Sequence, residues 1–203
     1  DGVSVGFGLV YERAEVTLSK AIDFGTAICA GSGNPANCFN TSYPFKPQQL
    51  DGAFEVSGDS ASLGYVVGAQ IAPNDKLAIG FSHRSEIKHD LKGTLDFQNV
   101  PALLANDPRF KDGDGGARLV TPAITTLSIS YGFSDNFRVL ADYQATAWSS
   151  LHDVTIKRDT GTVVGSEPFE WDDTKFFSIG AEFDISDAFT LRGGVAQDES
   201  PTN

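Results

Sequence analysis

The sequence predicts an all-β protein, a transmembrane antiparallel β-barrel of which this chain forms an arc of about seven strands. Three observations carry that reading. Apolar and polar residues alternate with period two through most of the chain, so each strand has one apolar and one polar face. Tight turns alternate with longer polar segments, the asymmetry of an outer-membrane barrel. Seven is an odd count where bacterial single-chain barrels use an even one, and both terminal strands would present unpaired edges, so the arc is expected to belong to a larger wall.

Composition sets the bounds. Residues 1–203 have the length of a single domain, and 40% hydrophobic content is too high for a disordered chain. Abundant Phe (15) and Gly (21), with no Met, suit strands better than helices. The net charge of −12 argues against a nucleic-acid partner, because phosphate binding needs clustered Lys and Arg. No apolar run is long enough for a membrane helix, which leaves a barrel open, since barrels carry their signal as alternation. Asp1-Gly2-Val3 opens directly into a strand, so the natural N-terminus is expected upstream.

The first strand runs from about Val3 to Lys20. Its apolar side begins on Val3, Val5, Phe7 and Leu9 and moves to Ala14, Val16 and Leu18, a phase change that predicts a bulge or kink. The second carries Ala61, Leu63, Tyr65, Val67, Ala69 and Ile71 on one face. In the third, Leu77, Ile79, Phe81, Ile87, Leu91 and Leu95 share one parity, and Arg84, Glu86, Lys88, Asp90 and Lys92 the other. Four more strands follow, with Leu127-Ile129-Tyr131-Phe133, Val139-Ala141-Tyr143, Phe177-Ile179-Phe183-Ile185 and Phe189-Leu191-Val195 as their apolar faces. Ala72-Pro73-Asn74-Asp75, Ser134-Asp135-Asn136 and Ser186-Asp187 have tight-turn chemistry, and segments 25–50, 98–118 and 159–168 read as long loops.

Cys29 and Cys38 lie in one polar Gly/Asn/Pro-rich stretch without a neighbouring His, so they read as a local disulfide formed in an oxidising compartment. The ionic parity of the third strand reads either as a lumen lining that orients a ligand or as a ladder of cross-strand ion pairs. His83 and His89 share the apolar parity and read as histidines near a membrane boundary, not as metal ligands. Asp112-Gly113-Asp114-Gly115-Gly116 reads as a Gly-rich turn, because it lacks the later ligands of a calcium loop. Val100–Phe110 is apolar for a loop, with a short helix expected from Pro101. It serves either to pack on the barrel rim or to capture an apolar ligand.

Three stretches, in order, carry a family resemblance. They are Val5-Gly6-Phe7-Gly8-Leu9-Val10-Tyr11-Glu12-Arg13-Ala14, Arg84-Ser85-Glu86-Ile87-Lys88-His89-Asp90-Leu91-Lys92-Gly93, and Thr190-Leu191-Arg192-Gly193-Gly194-Val195-Ala196-Gln197-Asp198-Glu199-Ser200-Pro201. They resemble strands of the long-chain fatty acid outer-membrane transporter (FadL-type) family, over essentially the whole chain. The resemblance implies a 14-stranded barrel with an N-terminal hatch in the outer membrane of a Gram-negative bacterium. It also implies ligand capture at external loops, deeper binding, and sideways exit beside a kinked strand. The implied function is passive transport of hydrophobic compounds, long-chain fatty acids or aromatic and aliphatic hydrocarbons. No enzyme activity, cofactor or metal is implied. Membrane lipid and a hydrophobic small molecule are the expected partners, and oligomeric state is left open. Positions where the family places basic residues near an inner ligand carboxylate carry Leu18 and Glu167 here, with Lys20 nearby.

The substrate contacts expected on this basis are Leu103, Leu104 and Phe110 in the loop, and Lys20, Arg84, Glu86 and Arg192 inside the barrel. The alternative is a soluble or surface β-barrel or sandwich that acts as a ligand-binding or adhesion module, with its apolar faces turned inward.

Overall fold

The structure is a computed structural model and describes residues 2–202. The chain folds into one antiparallel sheet, with strands β1 (Gly2–Asp23), β2 (Asp51–Ala72), β3 (Leu77–Arg84), β4 (Ile87–Gln98), β5 (Gly113–Thr121) and β6 (Ile124–Ser134). It continues with β7 (Phe137–Thr146), β8 (Asp153–Arg158), β9 (Val163–Pro168), β10 (Thr174–Ser186) and β11 (Phe189–Asp198). A short helix, α1 (Phe24–Gly31), follows β1.

These segments merge into the seven expected strands. β2 pairs with both β3 and β4, so those two are halves of one long strand interrupted at Ser85-Glu86. β6 pairs with β3 and β5 with β4, so β6 and β5 are likewise halves of one strand, interrupted at Pro122-Ala123. β8 prolongs β7 and β9 prolongs β10 on the same side. Among the described residues β1 pairs only with β2 and β11 only with β10, so the sheet is an open arc.

Strand content also reaches into segments read as loops. Gly113–Gly116 opens β5 and is not a free turn. A Cβ on Gly116 would lie 2.0 Å from the Leu91 carbonyl oxygen, so glycine is required there by close approach of the neighbouring strand. Residues 163–168 form β9. The segment after Pro101 makes successive four-residue turns (Leu104 N–H to Pro101 O, 2.8 Å) in place of the expected helix, and a single 3₁₀ turn follows at Pro108–Phe110.

The two faces of the arc change character along the strands. β1 holds 22 residues, about 70 Å at ~3.3 Å per residue. A membrane needs only 9–11 tilted residues, so much of this strand stands clear of the lipid. Over its first half the odd side chains are apolar and turned outward, with Val5 81% and Phe7 69% exposed. Leu63, Tyr65, Phe81, Leu127, Ile129, Phe177, Ile179 and Leu191 continue that outer belt across the sheet. An exposed apolar belt facing outward matches a lipid-facing wall and not the inward-apolar alternative. Beyond Tyr11 the same outer face of β1 turns polar, with Arg13, Glu15, Thr17 and Ser19. The inner face there carries Ala14, Val16, Leu18 and Ile22.

This corrects the expected bulge in β1. Its register with β2 is unbroken from Gly2↔Ala72 to Asp23↔Asp51. The phase change in the sequence marks a change of surroundings and not of backbone.

The bulge lies instead in the β3–β4 strand, where the sequence shows constant parity. β2 pairs Val66 with Arg84 below the break and Asp59 with Lys92 above it, so residues 60–65 of β2 face the longer stretch 85–91. That single extra residue flips every later side chain to the opposite face. Ser85 stabilises the break: its backbone N–H donates to the Tyr65 carbonyl (3.0 Å), and its Oγ accepts the Tyr65 N–H (3.0 Å). Consequently only Arg84 of the ionic set turns inward. Glu86, Lys88, Asp90 and Lys92 face outward, where Lys88 pairs with Glu86 (2.8 Å) and Arg118 with Asp90 (2.7 Å). Ile87, His89, Leu91 and Leu95 are turned in and buried.

Two results are expected. Leu127→Arg and Ile179→Arg put a charge into lipid at a cost of about 2–4 kcal/mol near the midplane, whereas Ser128→Arg, on the inner face, is mild. Heat-modifiable gel mobility of the intact protein reads this, and equal assembly of all three variants contradicts the facing. Ser85→Ala leaves the Tyr65 N–H without an acceptor, which costs about 1–3 kcal/mol and shows as a lower urea midpoint in micelles.

Candidate functional site

Apolar residues on the inner face above the bilayer level close around a cavity of about 750 Å³. β1 supplies Leu18 and Ile22, β2 Phe54, β4 Phe97, the 3₁₀ turn Phe110, β8 Ile156, and β9 Val163 and Val164. Each strand residue reaches the cavity by the pleat: Val56 pairs with Leu18 and Leu95, and Phe54 with Lys20 and Phe97. Phe54, Val56, Leu95 and Ile156 form the packed core beneath it. A row of aromatic rings makes one wall, with Phe54–Phe97 at 4.8 Å, Phe97–Phe110 at 6.0 Å and Phe110–Phe24 at 5.2 Å between centroids.

The lining also contains charges, and each is occupied. Lys20 Nζ donates to Glu167 Oε2 at 3.3 Å, joining β1 to β9 across the rim. Arg109 Nε and Nη2 grip both oxygens of Asp107 (3.1, 3.1 and 2.7 Å), and these bonds hold the Asp107 carboxyl below its ordinary range. Arg158 Nη2 donates to the carbonyls of Arg109 (3.2 Å) and Lys111 (2.6 Å), while its guanidinium lies 5.7 Å from the Phe97 ring centroid.

Below the cavity the inner face is polar. Glu12 of β1 reaches across β2 to Arg84 Nη2 (2.8 Å) and to His89 Nε2 (2.9 Å), one on each side of the bulge. The intervening β2 positions are small, Ser62 and Gly64, and a Cβ on Gly64 would strike Ile87 at 2.6 Å. His89 is therefore not a boundary histidine. It is fully buried and held by a carboxylate, whereas His83 faces outward and meets Thr125 Oγ1 at 2.9 Å. Further round the wall, Ser128 (2.5 Å) and Ser178 (3.0 Å) donate to Asp142, and Arg192 pairs with Glu182 (2.8 Å).

Of the expected contacts, Lys20 and Phe110 line the cavity. Arg84 and Arg192 sit in the lower lumen within ion pairs, and Glu86 lies on the outer face. Leu103 is 65% exposed on the loop after β4, with Leu104 half-buried beside it, and neither lines the cavity. Sequence reasoning missed Glu12, His89, Phe54, Phe97 and Arg158. Phe54 and Phe97 sit at opposite parities, and only the bulge places them side by side.

The loop between β1 and β2 meets the cavity wall through Phe24, which packs on Phe110. Cys29 and Cys38 are bonded to each other, with Cα atoms 5.1 Å apart, tying α1 to the next turn. Asp23 joins the two ends of the loop. It caps α1 through the Thr26 hydroxyl (2.6 Å) and N–H (2.9 Å) and accepts the Gln48 N–H (3.0 Å). The Thr26 hydroxyl bond, followed by its N–H, holds the Asp23 carboxyl below its ordinary value. A depressed carboxylate stabilises the fold above its unfolded pKa, and the contribution is lost as pH falls through the folded value. Protection of the Thr26 and Gln48 amides from exchange is thus expected to hold at neutral pH and fail only in acid below the ordinary carboxylate range. Asp23→Ala should remove it at every pH; retained protection in that variant contradicts the clasp.

The geometry is shared with known proteins. The structure aligns with a Pseudomonas aeruginosa FadL homologue at a TM-score of 0.83 and 26% identity, over 100% of this chain and 47% of that one. It aligns with the CymD monoaromatic hydrocarbon channel at a TM-score of 0.64 and 26% identity, over 98% of this chain and 56% of that one. In sequence it is 24% identical to the long-chain fatty acid transport protein of Salmonella typhi over 207 residues, 97% of this chain and 45% of that protein. The chain spans 36% to 45% of the length of such curated relatives. With its outward apolar belt, open arc and a cavity beyond that belt, the chain belongs to the Gram-negative outer-membrane family described as outer membrane protein transport protein (OMPP1/FadL/TodX), whose model matches residues 1–203.

Proposed function

We propose that this chain forms the part of a passive outer-membrane transporter that takes hydrophobic molecules from outside the cell and holds them in the cavity above the bilayer. One observation carries the reading: above the membrane the strands reverse polarity, so a wall that is polar outside encloses an apolar chamber of about 750 Å³. That volume lies within the ~300–1,000 Å³ of small-molecule sites. The similar proteins are named for long-chain fatty acid transport and for monoaromatic hydrocarbon passage, both hydrophobic cargo.

In this proposal Leu103 and Leu104 make first contact, Phe110 passes the ligand to the aromatic wall, and Lys20 borders the rim. Arg84 and Arg192 keep the lower lumen hydrated and ordered through their ion pairs, and Glu86 acts only on the outer surface. Movement follows the concentration gradient without covalent chemistry, so the protein is not an enzyme.

Phe97→Asp places a charge in the aromatic wall and removes apolar area worth about 1.5–3 kcal/mol. The intact variant is expected at the cell surface in normal amount, with uptake of a hydrophobic substrate reduced about tenfold at low concentration. Leu103→Asp together with Leu104→Asp should weaken uptake at low substrate and recover when substrate is abundant. Unchanged uptake by Phe97→Asp at normal surface levels contradicts the cavity as the holding site.

A further inference from the structure

Resting on the cavity as the holding site, we infer that the cavity selects uncharged apolar molecules and that Glu167 is the residue that turns carboxylates away. The case is one of charge bookkeeping at the lining. A ligand carboxylate needs a cation whose charge is not already balanced or anchored, and the cavity offers Lys20, Arg109 and Arg158. Lys20 is engaged by Glu167 at 3.3 Å. Arg109 is gripped by both oxygens of Asp107. Arg158 is spread over the Phe97 ring and anchored to two carbonyls, so turning it toward a ligand would forfeit both bonds and the ring contact.

Glu167 acts in two ways. It occupies the Lys20 ammonium, the cation on the open rim where a head group would arrive, and it places a negative charge beside that position. An incoming carboxylate therefore meets repulsion where it needs a partner. A neutral molecule meets no such cost. Its tail finds Leu18, Phe54, Phe97 and Phe110.

The test compares octanoate with octan-1-ol, which share chain length and differ in head-group charge at neutral pH. Each is titrated into the intact protein in detergent, by calorimetry, with wild type and Glu167→Gln. Wild type is expected to bind octan-1-ol more tightly than octanoate. Glu167→Gln is expected to tighten octanoate binding by about fivefold, the scale of one close charge pair near a protein surface, and to leave octan-1-ol unchanged. Lys20→Gln in the Glu167→Gln background should cancel that gain. Octanoate bound as tightly as octan-1-ol by wild type, or an octanoate affinity unmoved by Glu167→Gln, would overturn the selectivity assigned to Glu167 and leave the cavity as a holding site. Failure of both molecules to bind wild type would overturn the holding site and the selectivity together.

Discussion

A strand longer than the bilayer is thick must change its outer face from apolar to polar where it leaves the lipid, and the rest of this structure depends on how that change is made. Outward apolar residues are required in hydrocarbon, because charge there costs several kcal/mol. Above it they would be a liability. Once the outer face has turned polar, the apolar residues that remain in the strand point inward, where they have only one another and a ligand to meet. The cavity is thus the counterpart of the membrane belt.

The change is made by two different means in the strands on either side of β2. β1 keeps its register with β2 and changes its residues, from Val5 and Phe7 outward to Leu18 and Ile22 inward. The β3–β4 strand keeps the parity of its apolar residues and changes its backbone, with one extra residue held by Ser85. Glu12 ties the two solutions together at the level of the break by holding Arg84 below it and His89 above it. Removing Glu12 would leave a buried imidazole without its acceptor, a more costly state than never having placed it there.

That pairing of mechanisms also explains what could be read from sequence. The number of long strands, the shared apolar face of Leu127, Ile129 and Ile179, the tight turns and the Cys29–Cys38 bond were legible, because period-two alternation and turn chemistry are local signals; which way that face points was not. The bulge was assigned to the wrong strand, because alternation alone cannot distinguish a shifted backbone from a changed environment. Register is set by the partner strand, which no single segment reveals. The candidate site was legible only in part. Lys20 was named from the family resemblance and Phe110 from an apolar loop, but Phe54, Phe97 and Arg158 come together from β2, β4 and β8 through pairing distant in sequence. The segments at 113–118 and 163–168 looked like loops because three Gly interrupt the first and a Gly, a Ser and a Pro the second, and they are strands because neighbouring strands supply hydrogen-bond partners.

The most direct measurement places nitroxide spin labels, one at a time, at Phe81, Asp90, Leu91 and Lys92 of the intact protein in lipid vesicles. Accessibility to oxygen, which concentrates in the bilayer, is then compared with accessibility to a water-soluble nickel complex. If the outer face changes at Ser85 as described, Phe81 is exposed to oxygen, Asp90 and Lys92 are exposed to nickel, and Leu91 is shielded from both. Oxygen exposure at both Phe81 and Leu91, with Asp90 and Lys92 shielded from the outside, would mean that the strand runs without a flip and would contradict the account.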